Sequence, residues 1–583
     1  MPEPLRPRLW APEPGVAGRL GPAFAAAFCV VPALVWRHTH PLPFFHQEWV
    51  AFLLGSAIAG VLVAQGRWPG TGLPRIVAVP ALLAAVLLVQ AASGMHAYPQ
   101  QTLAGVLYLL WAAVMAQAGA YLRDTVGPRV LAGTLAMALV FGASASALAG
   151  ILQYSGASAA FAPMVMPAVS ARVYGNLAQP NLYADYLGLG LASLVYLYVQ
   201  GRLGWRACTV LAGPMLLAMA MSASRTGWLA VLVPGALALT MRFPVDGSAV
   251  EQERSLRRAC AALVVGFVAA HIVLAAVPGP GSSLPFGRVA GSPEGLHERL
   301  AVWWDACRIA FASPLGGAGF GQFAYARFGL VDASAVQGAP GLFTHAHNVV
   351  LHLLAEFGVP VTGATLWLVW TWWSRLRSVP ASREQWWMLS VLGIVAVHSL
   401  VEYPLWHALF LGLAALVAGA ADPGRIALSN RPVKIVAVAA LGLAVATLAN
   451  TWTAYKVVER LHAGPQGVAA PGVLLRAAAN IDVHTIFLPY LEQAYTTLVR
   501  IERQDLAPAL EHNTRVLRFA PDAEVAHRQA LLLALSGDAP AALRTWRAAR
   551  ALFPGYAERI EPLLAELVRR DPAVFGPLLR SGG

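Results

Sequence analysis

The stretch Thr344-His-Ala-His-Asn-Val-Val-Leu-His-Leu-Leu-Ala-Glu-Phe-Gly358 decides how the chain is read. It sets two histidines and an asparagine at the mouth of an apolar helix, directly after a long polar loop. Polar groups gathered where hydrocarbon meets water suit chemistry between a lipid-borne substrate and an aqueous one. Outward from this stretch the sequence is overwhelmingly apolar. Hydrophobic residues make up 57%, charged residues 12%, and the mean hydropathy is +0.59. Soluble domains carry about twice that charge. Apolar runs long enough to cross a bilayer, at roughly 20 residues each, lie near 20–38, 48–65, 75–92, 102–122, 129–152, 180–200, 206–221, 226–241, 259–277, 349–373, 385–401, 404–421 and 433–452. The pattern predicts an all-α, polytopic membrane protein with about 13 transmembrane helices.

Basic residues set the expected orientation. With the N-terminus in the cytoplasm, 19 arginines and lysines fall on the inner side, and the short outer loops hold only Arg37, Arg172 and Arg225. This places a large loop, about 278–347, and the C-terminal tail in the periplasm. The first apolar run lacks a small-x-small cleavage site and is expected to remain as a span. The net charge of +12 is mostly topological, and the arginines do not cluster on one soluble face, so no nucleic-acid partner is expected. Cys29, Cys208, Cys260 and Cys307 offer neither a disulfide pair nor zinc spacing.

The character changes after about residue 453. Residues 1–452 read as the membrane domain and 453–583 as a helical periplasmic domain. Within the tail, Ala509–Pro521 and Ala542–Pro554 align at an offset of 33 residues, with a helix from Ala526 to Leu535 and a turn at Gly537-Asp538 between them. Helix pairs at this period resemble tetratricopeptide-type repeats. A short helical bundle is the plainer alternative.

The candidate chemistry begins at His347. A metal site needs three or four converging ligands, and His347 and His352 are five residues apart, which points them away from each other on a helix. The histidines could also serve as polar caps for the helix near Asn348. A neutral histidine accepting a proton from a hydroxyl is the reading favoured by its chemistry near neutral pH. Arg225, in Ser222-Ala-Ser-Arg-Thr-Gly227, and Arg299, opening an amphipathic helix Arg299–Ala306, lie on the same expected face. Each could simply snorkel. Together they suit a phosphate or pyrophosphate anion. Gly175-Asn-Leu-Ala-Gln-Pro-Asn181 and Glu402-Tyr-Pro-Leu-Trp406 belong to that face too, with proline expected to break the helix and leave Glu402 and Tyr403 at the surface.

At these residues the chain resembles the superfamily of O-antigen ligases, O-antigen polymerases and bacterial protein O-oligosaccharyltransferases. His347-Asn348, nine residues and Gly358 match the ligase signature, although Val361 stands where that signature usually has Gly, Thr or Tyr, with Thr362 and Gly363 just after. Arg225, Arg299 and the Pro314–Gly321 turn are also similar to the family. The Gln179 motif, the Tyr403 motif and the helical tail resemble its protein-glycosylating branch.

The resemblance implies a glycosyltransferase of the bacterial inner membrane, active on its outer face without metal, nucleotide or other cofactor. Its donor would be an oligosaccharide on undecaprenyl pyrophosphate, and its acceptor Ser or Thr of exported proteins. It also implies roles. His347 would act as base, with His345 and Asn348 orienting it. Arg225 and Arg299 would hold the donor pyrophosphate. Gln179, Asn181, Glu402 and Tyr403 would position sugar or acceptor. An O-antigen ligase acting on lipid A core would use the same residues. A lipid-linked sugar transporter would need more intramembrane charge than Asp185 provides. A repeat scaffold with a passive anchor would need far fewer spans.

Overall fold

The computed structural model describes residues 16–65, 72–168, 170, 172–243, 247–276, 293–330, 339–427, 430–462, 485–498 and 505–580. The membrane half runs through α1 (Val16–Leu34), α2 (Phe45–Ala64), α3 (Ala78–Ala92), α4 (Pro99–Val126), α5 (Pro128–Tyr154), α6 (Pro180–Val199), α7 (Trp205–Met221), α8 (Thr226–Thr240) and α9 (Gly247–Ala276). After two loop helices, α10 (Pro293–Ala312) and α11 (Phe323–Gly329), come α12 (Val349–Arg377), α13 (Arg383–Ser399), α14 (Ala408–Ala421) and α15 (Asn430–His462). A helix stands at every apolar run read from the sequence. Eight of the described helices are long and apolar enough to cross a membrane, and four more apolar helices span only 10–17 residues. The expectation of about 13 spans counted these four and the 17-residue α13 as well. Two of these, α7 and α8, are divided only by the corner at Ser222–Arg225, and α14 is shortened by a turn at Pro404–Trp406. The chain is thus an all-helical, multi-pass membrane protein. Large side chains left exposed on the bundle, such as Phe141, Leu148, Val210, Val265, Trp367 and Trp370, form the surface that lipid would cover.

Lipid tails are as apolar as leucine, so close backbone approach and hydrogen bonds hold such a bundle together. The α4–α14 pair shows the first device. A Cβ at Gly119 would strike the Leu416 carbonyl, and one at Gly419 would strike that of Ala116. The α5–α6 pair shows the second. Tyr183 donates to Ser146 O at 3.0 Å, and Tyr186 donates across to Cys29 O at 2.7 Å. Helix α6 is the central element, enclosed along almost its whole length. It carries Asn181 at one end and Asp185 one turn further in.

At the end of the bundle away from Asn181, a two-stranded antiparallel clip pairs β1 (Leu73–Pro74) with β2 (Arg425–Ile426). Arg425 reaches Asp124 there at 2.9 Å.

Helix α12 contains the chain's decisive local feature. It starts at Asn348, whose side chain accepts from Val350 N and Leu351 N, both at 3.1 Å. It breaks ten residues on at Gly358, with φ 77°. A Cβ at Gly358 would lie 2.7 Å from Pro314 O and Leu315 O, so only glycine fits. The glycine-rich turn before α11 is laced to that break. Ala318 N donates to Ala355 O at 2.8 Å, and Val359 N donates to Pro314 O at 2.8 Å. The signature of histidine, asparagine, nine residues and glycine therefore describes a short capped helix pinned at both ends.

The described tail comprises α16 (Leu488–Leu498), α17 (Leu506–Phe519), α18 (Ala523–Leu535), α19 (Ala539–Leu552), α20 (Pro554–Arg570) and α21 (Pro572–Arg580). Its helices coincide with the two segments aligned above, and Gly537 turns with φ 88°. Helix α15 runs through residue 453 without a break. The tail leans on the loop that precedes the histidines. Phe328 packs among Val516, Leu517 and Ala549, and Gly341 N donates to Leu552 O at 2.7 Å. The outer-loop stretches 278–292 and 331–338 and the tail stretches 463–484 and 499–504 lie outside the described residues.

Candidate active site

Glu402 is the hub of the polar cluster. Its Oε2 accepts from His347 Nδ1 at 2.8 Å. Its Oε1 accepts from Arg299 Nη2 at 2.6 Å and from Asn181 Nδ2 at 2.8 Å. Four separate elements thus converge on one carboxylate: the loop before α12, helix α10, the start of α6, and the corner between α13 and α14. The sequence reading left Glu402 at the surface. The structure buries it, at 6% exposure, because Pro404 starts a tight turn that folds the corner back over the bundle instead of out from it.

A second layer continues from Asn181. Its Oδ1 accepts from Ser224 Oγ at 2.8 Å and from Arg172 Nη2 at 3.1 Å. Arg172 also donates to Ser222 O at 3.0 Å. Ala178, Ala223 and His347 are the described non-glycine residues with positive φ, at 57°, 48° and 50°. All three lie in loops that enter this site. Such backbone costs about 1–2 kcal/mol per residue and persists where surrounding contacts enforce it. At His347 it turns the ring toward Glu402.

The aromatic wall is built by Tyr403. It stacks on His345, with centroids 4.6 Å apart and planes 11° apart, and meets His347 edge-on at 5.1 Å. Trp406 stands at 5.0 Å from both His345 and His352. Burial, with His352, His347 and His407 nearby, holds the His345 imidazole well below its ordinary pKa. Burial pushes Glu402 upward, but the His347 hydrogen bond and charge, with Arg299 and His398, outweigh it and hold the carboxyl below the usual value. Burial and the Glu402 charge raise the Tyr403 phenol. An ionised Glu402 can only accept, so in the neutral form of His347 the proton sits on Nδ1 and the lone pair on Nε2.

Of the residues singled out from sequence, His347, Arg299, Asn181 and Glu402 are joined directly by hydrogen bonds, and Tyr403 and His345 pack against them. Arg225 stands at the start of α8 beside Ser224; its side chain is exposed and makes no hydrogen bond or ion pair among the described residues. Asn348 and Gln179 serve as helix caps. Gln179 Oε1 accepts from Leu182 N at 2.6 Å, so its acceptor oxygen is committed to α6. Arg299 lies inside α10 and does not open it. His352 is buried; it faces Glu356 at 3.3 Å and accepts from Ala346 N at 3.4 Å. Arg172 and Ser224 were missed as site residues. Arg172 had been counted only as an outer-loop charge, and its position two residues before Tyr174-Gly-Asn176 was the available signal.

Three stretches match protein families. Residues 173–198 match a protein glycosylation ligase family, 210–366 an O-antigen ligase family, and 386–566 the C-terminal region of virulence factor membrane-bound polymerases. The second contains Arg225, Arg299 and His347; the third contains Glu402 and most of the tail. Among whole proteins, the chain is 25% identical over 473 residues to a general O-oligosaccharyltransferase of Acinetobacter baylyi, covering 78% of each. It is 24% identical over 245 residues to a ComP-specific O-oligosaccharyltransferase of the same organism, covering 41% of this chain and 42% of that protein. With its motifs brought together in one polar cluster at the end of a membrane bundle, the chain is similar to the superfamily of O-antigen ligases, O-antigen polymerases and bacterial protein O-oligosaccharyltransferases.

Proposed function

We propose that the protein transfers an oligosaccharide from undecaprenyl pyrophosphate to Ser or Thr of exported proteins, at the periplasmic face of the inner membrane. The observation that carries this reading is the Glu402 hub. It holds His347 by Nδ1 and leaves Nε2 open, with the Arg299 guanidinium on the same carboxylate. The acceptor hydroxyl attacks the anomeric carbon while its proton passes to His347 Nε2. The bond from that carbon to the pyrophosphate oxygen breaks, and its electron pair leaves with the lipid pyrophosphate. A serine hydroxyl is too weak an acid to ionise beforehand, so proton transfer and attack are concerted. Glu402 stabilises the imidazolium that forms. Arg225 is free to receive the donor pyrophosphate and Arg299 stands beside the base; fixed cations aimed at the departing charge lower the barrier. The Tyr403–His345 wall offers a flat apolar surface for a sugar face. The side chains accomplish each of these steps without a metal.

In this reading the membrane domain ends within α15 and the tail forms a periplasmic surface that presents acceptor protein. Its repeat-like helices lie against the Phe328 region of the loop that leads to His345 and His347. The O-antigen ligase match over 210–366 favours a second acceptor, lipid A core, at the same site. Mass spectrometry of exported proteins, alongside O-antigen ladders, tests both in cells with and without the chain. Removing the tail after His462 should abolish glycoproteins. Loss of ladders with glycoproteins intact would overturn the protein-acceptor reading.

A further inference from the structure

Directly beneath the hub lies a second carboxylate–histidine pair that the proposed chemistry does not use. Asp185 is four residues past Asn181 on α6, and His398 is four residues before Glu402 at the end of α13. One helical turn therefore places the pair under the Asn181–Glu402 contact. Asp185 Oδ2 and His398 Nδ1 approach to 3.2 Å, and each side chain is 1% exposed. The contact is an ion-pair approach without hydrogen-bond geometry: His398 Nδ1 and Nε2 and Asp185 Oδ2 have no hydrogen-bond partner among the described residues.

Isolated charge in such surroundings is costly, by several kcal/mol per ion, and persists when paired. The packing around His398 offers no substitute. Residues 226–240 of α8 and 408–421 of α14 contain no titratable side chain, and those of α5, Arg129 and Tyr154, stand at its two ends. The titratable and charged groups facing Glu402 itself are His347, Arg299, His398 and Tyr403. His398 is also tied to it through the backbone, since Glu402 N donates to His398 O at 2.9 Å.

We propose that Asp185 and His398 form a buried positioning pair, in which Asp185 holds the His398 ring beneath the hub and His398 in turn holds the Glu402 carboxylate in place for His347. The pair touches no substrate. It acts through Glu402, and it deepens the transfer reading by naming what supports the residue that orients the base. It also explains why Asp185, a carboxylate one turn inside the bundle, is tolerated there.

The test titrates Glu402 directly. The full chain is reconstituted in lipid, and the infrared carbonyl stretch of its protonated carboxyl is followed against pH, assigned by its loss in Glu402→Gln. Removing a nearby positive charge raises a carboxyl pKa. The midpoint should therefore rise by about one pH unit in His398→Gln, on the scale of a single neighbouring charge. It should rise in the same direction in Asp185→Asn, where His398 loses the carboxylate that holds it beneath Glu402. The double variant Asp185→Asn/His398→Gln removes both buried charges at constant size, so it remains informative should a single variant misfold. An unchanged midpoint in the variants that insert normally would overturn the pair's role and leave it as core packing. The titration needs no glycan donor, so its result is separate from whether the chain transfers sugar.

Discussion

His347–Glu402 and His352–Glu356 are both histidine–carboxylate pairs, five residues apart on the histidine side, and they have opposite characters. The first is reached by solvent, with side-chain exposures of 22% and 7%. The second is closed, at 4% and 1%. At His352 one ring nitrogen accepts from Ala346 N and the other faces Glu356, so the ring is fully committed. At His347 only Nδ1 is committed. Reactivity here follows from the nitrogen left open, and the left-handed backbone at residue 347 separates the two fates. His352 belongs with the structure: its neighbour Glu356 also accepts from Phe323 N at 3.2 Å and so ties α12 to α11.

The largest effect should come from breaking the open pair at its carboxylate. Glu402→Gln keeps the shape but loses the charge that orients Nδ1–H and stabilises the imidazolium. Transfer per inserted chain should fall by about 100-fold or more, on the scale of a lost acid–base partner. Glu356→Gln should leave that rate within a few-fold and lower thermal stability instead. Radiolabelled glycan transfer, normalised to chain in the membrane, reads both.

Next comes the free guanidinium. Arg225→Lys keeps charge but not the two-point fork. About a tenfold loss of transfer is expected, roughly one good hydrogen bond to a charged group. Since the Arg225 side chain has no partner among the described residues, stability should not move. A fall in melting temperature equal to that of a buried-pair variant would show that Arg225 is a structural residue.

A smaller effect concerns pH. His345 in the fold resists protonation, so below its ordinary value of 6.5 the unfolded chain binds more protons than the folded one. Stability therefore rises with pH across the window just below 6.5, and falls as the medium is acidified through it. His345→Phe keeps the stack on Tyr403 and should flatten that slope. A slope unchanged in the variant would assign the pH dependence to another group, such as His96 or His527, whose imidazoles burial also holds down.

Much of this was legible in the sequence. The apolar runs gave the helices because a bilayer leaves backbone groups no other solution. The motifs gave His347, Asn181 and Glu402, each of unusual polarity beside a helix end, and Arg299, a charge on an amphipathic loop helix. Three matters were hidden. The pairing of Asp185 with His398 joins residues on two helices far apart in the chain, and helical periodicity does not say which face meets which. The burial of Glu402 depends on the direction in which the Pro404 turn folds. Gln179 looked like a substrate contact because polar residues before a helix have two uses, and here its oxygen caps α6. Gly358 shows the reverse case: its place in a signature was plain, but its physical reason, a helix break against Pro314 and Leu315, needed three dimensions.

The most direct measurement compares His347→Ala with His352→Ala in one strain, counting glycosylated exported proteins by mass spectrometry per chain found in the membrane. The account predicts no glycoprotein from His347→Ala, with normal insertion and melting. From His352→Ala it predicts fewer inserted chains, each transferring at close to the parent rate. Near-normal transfer by His347→Ala would contradict the assignment of the base and, with it, the distinction between the open and the closed pair.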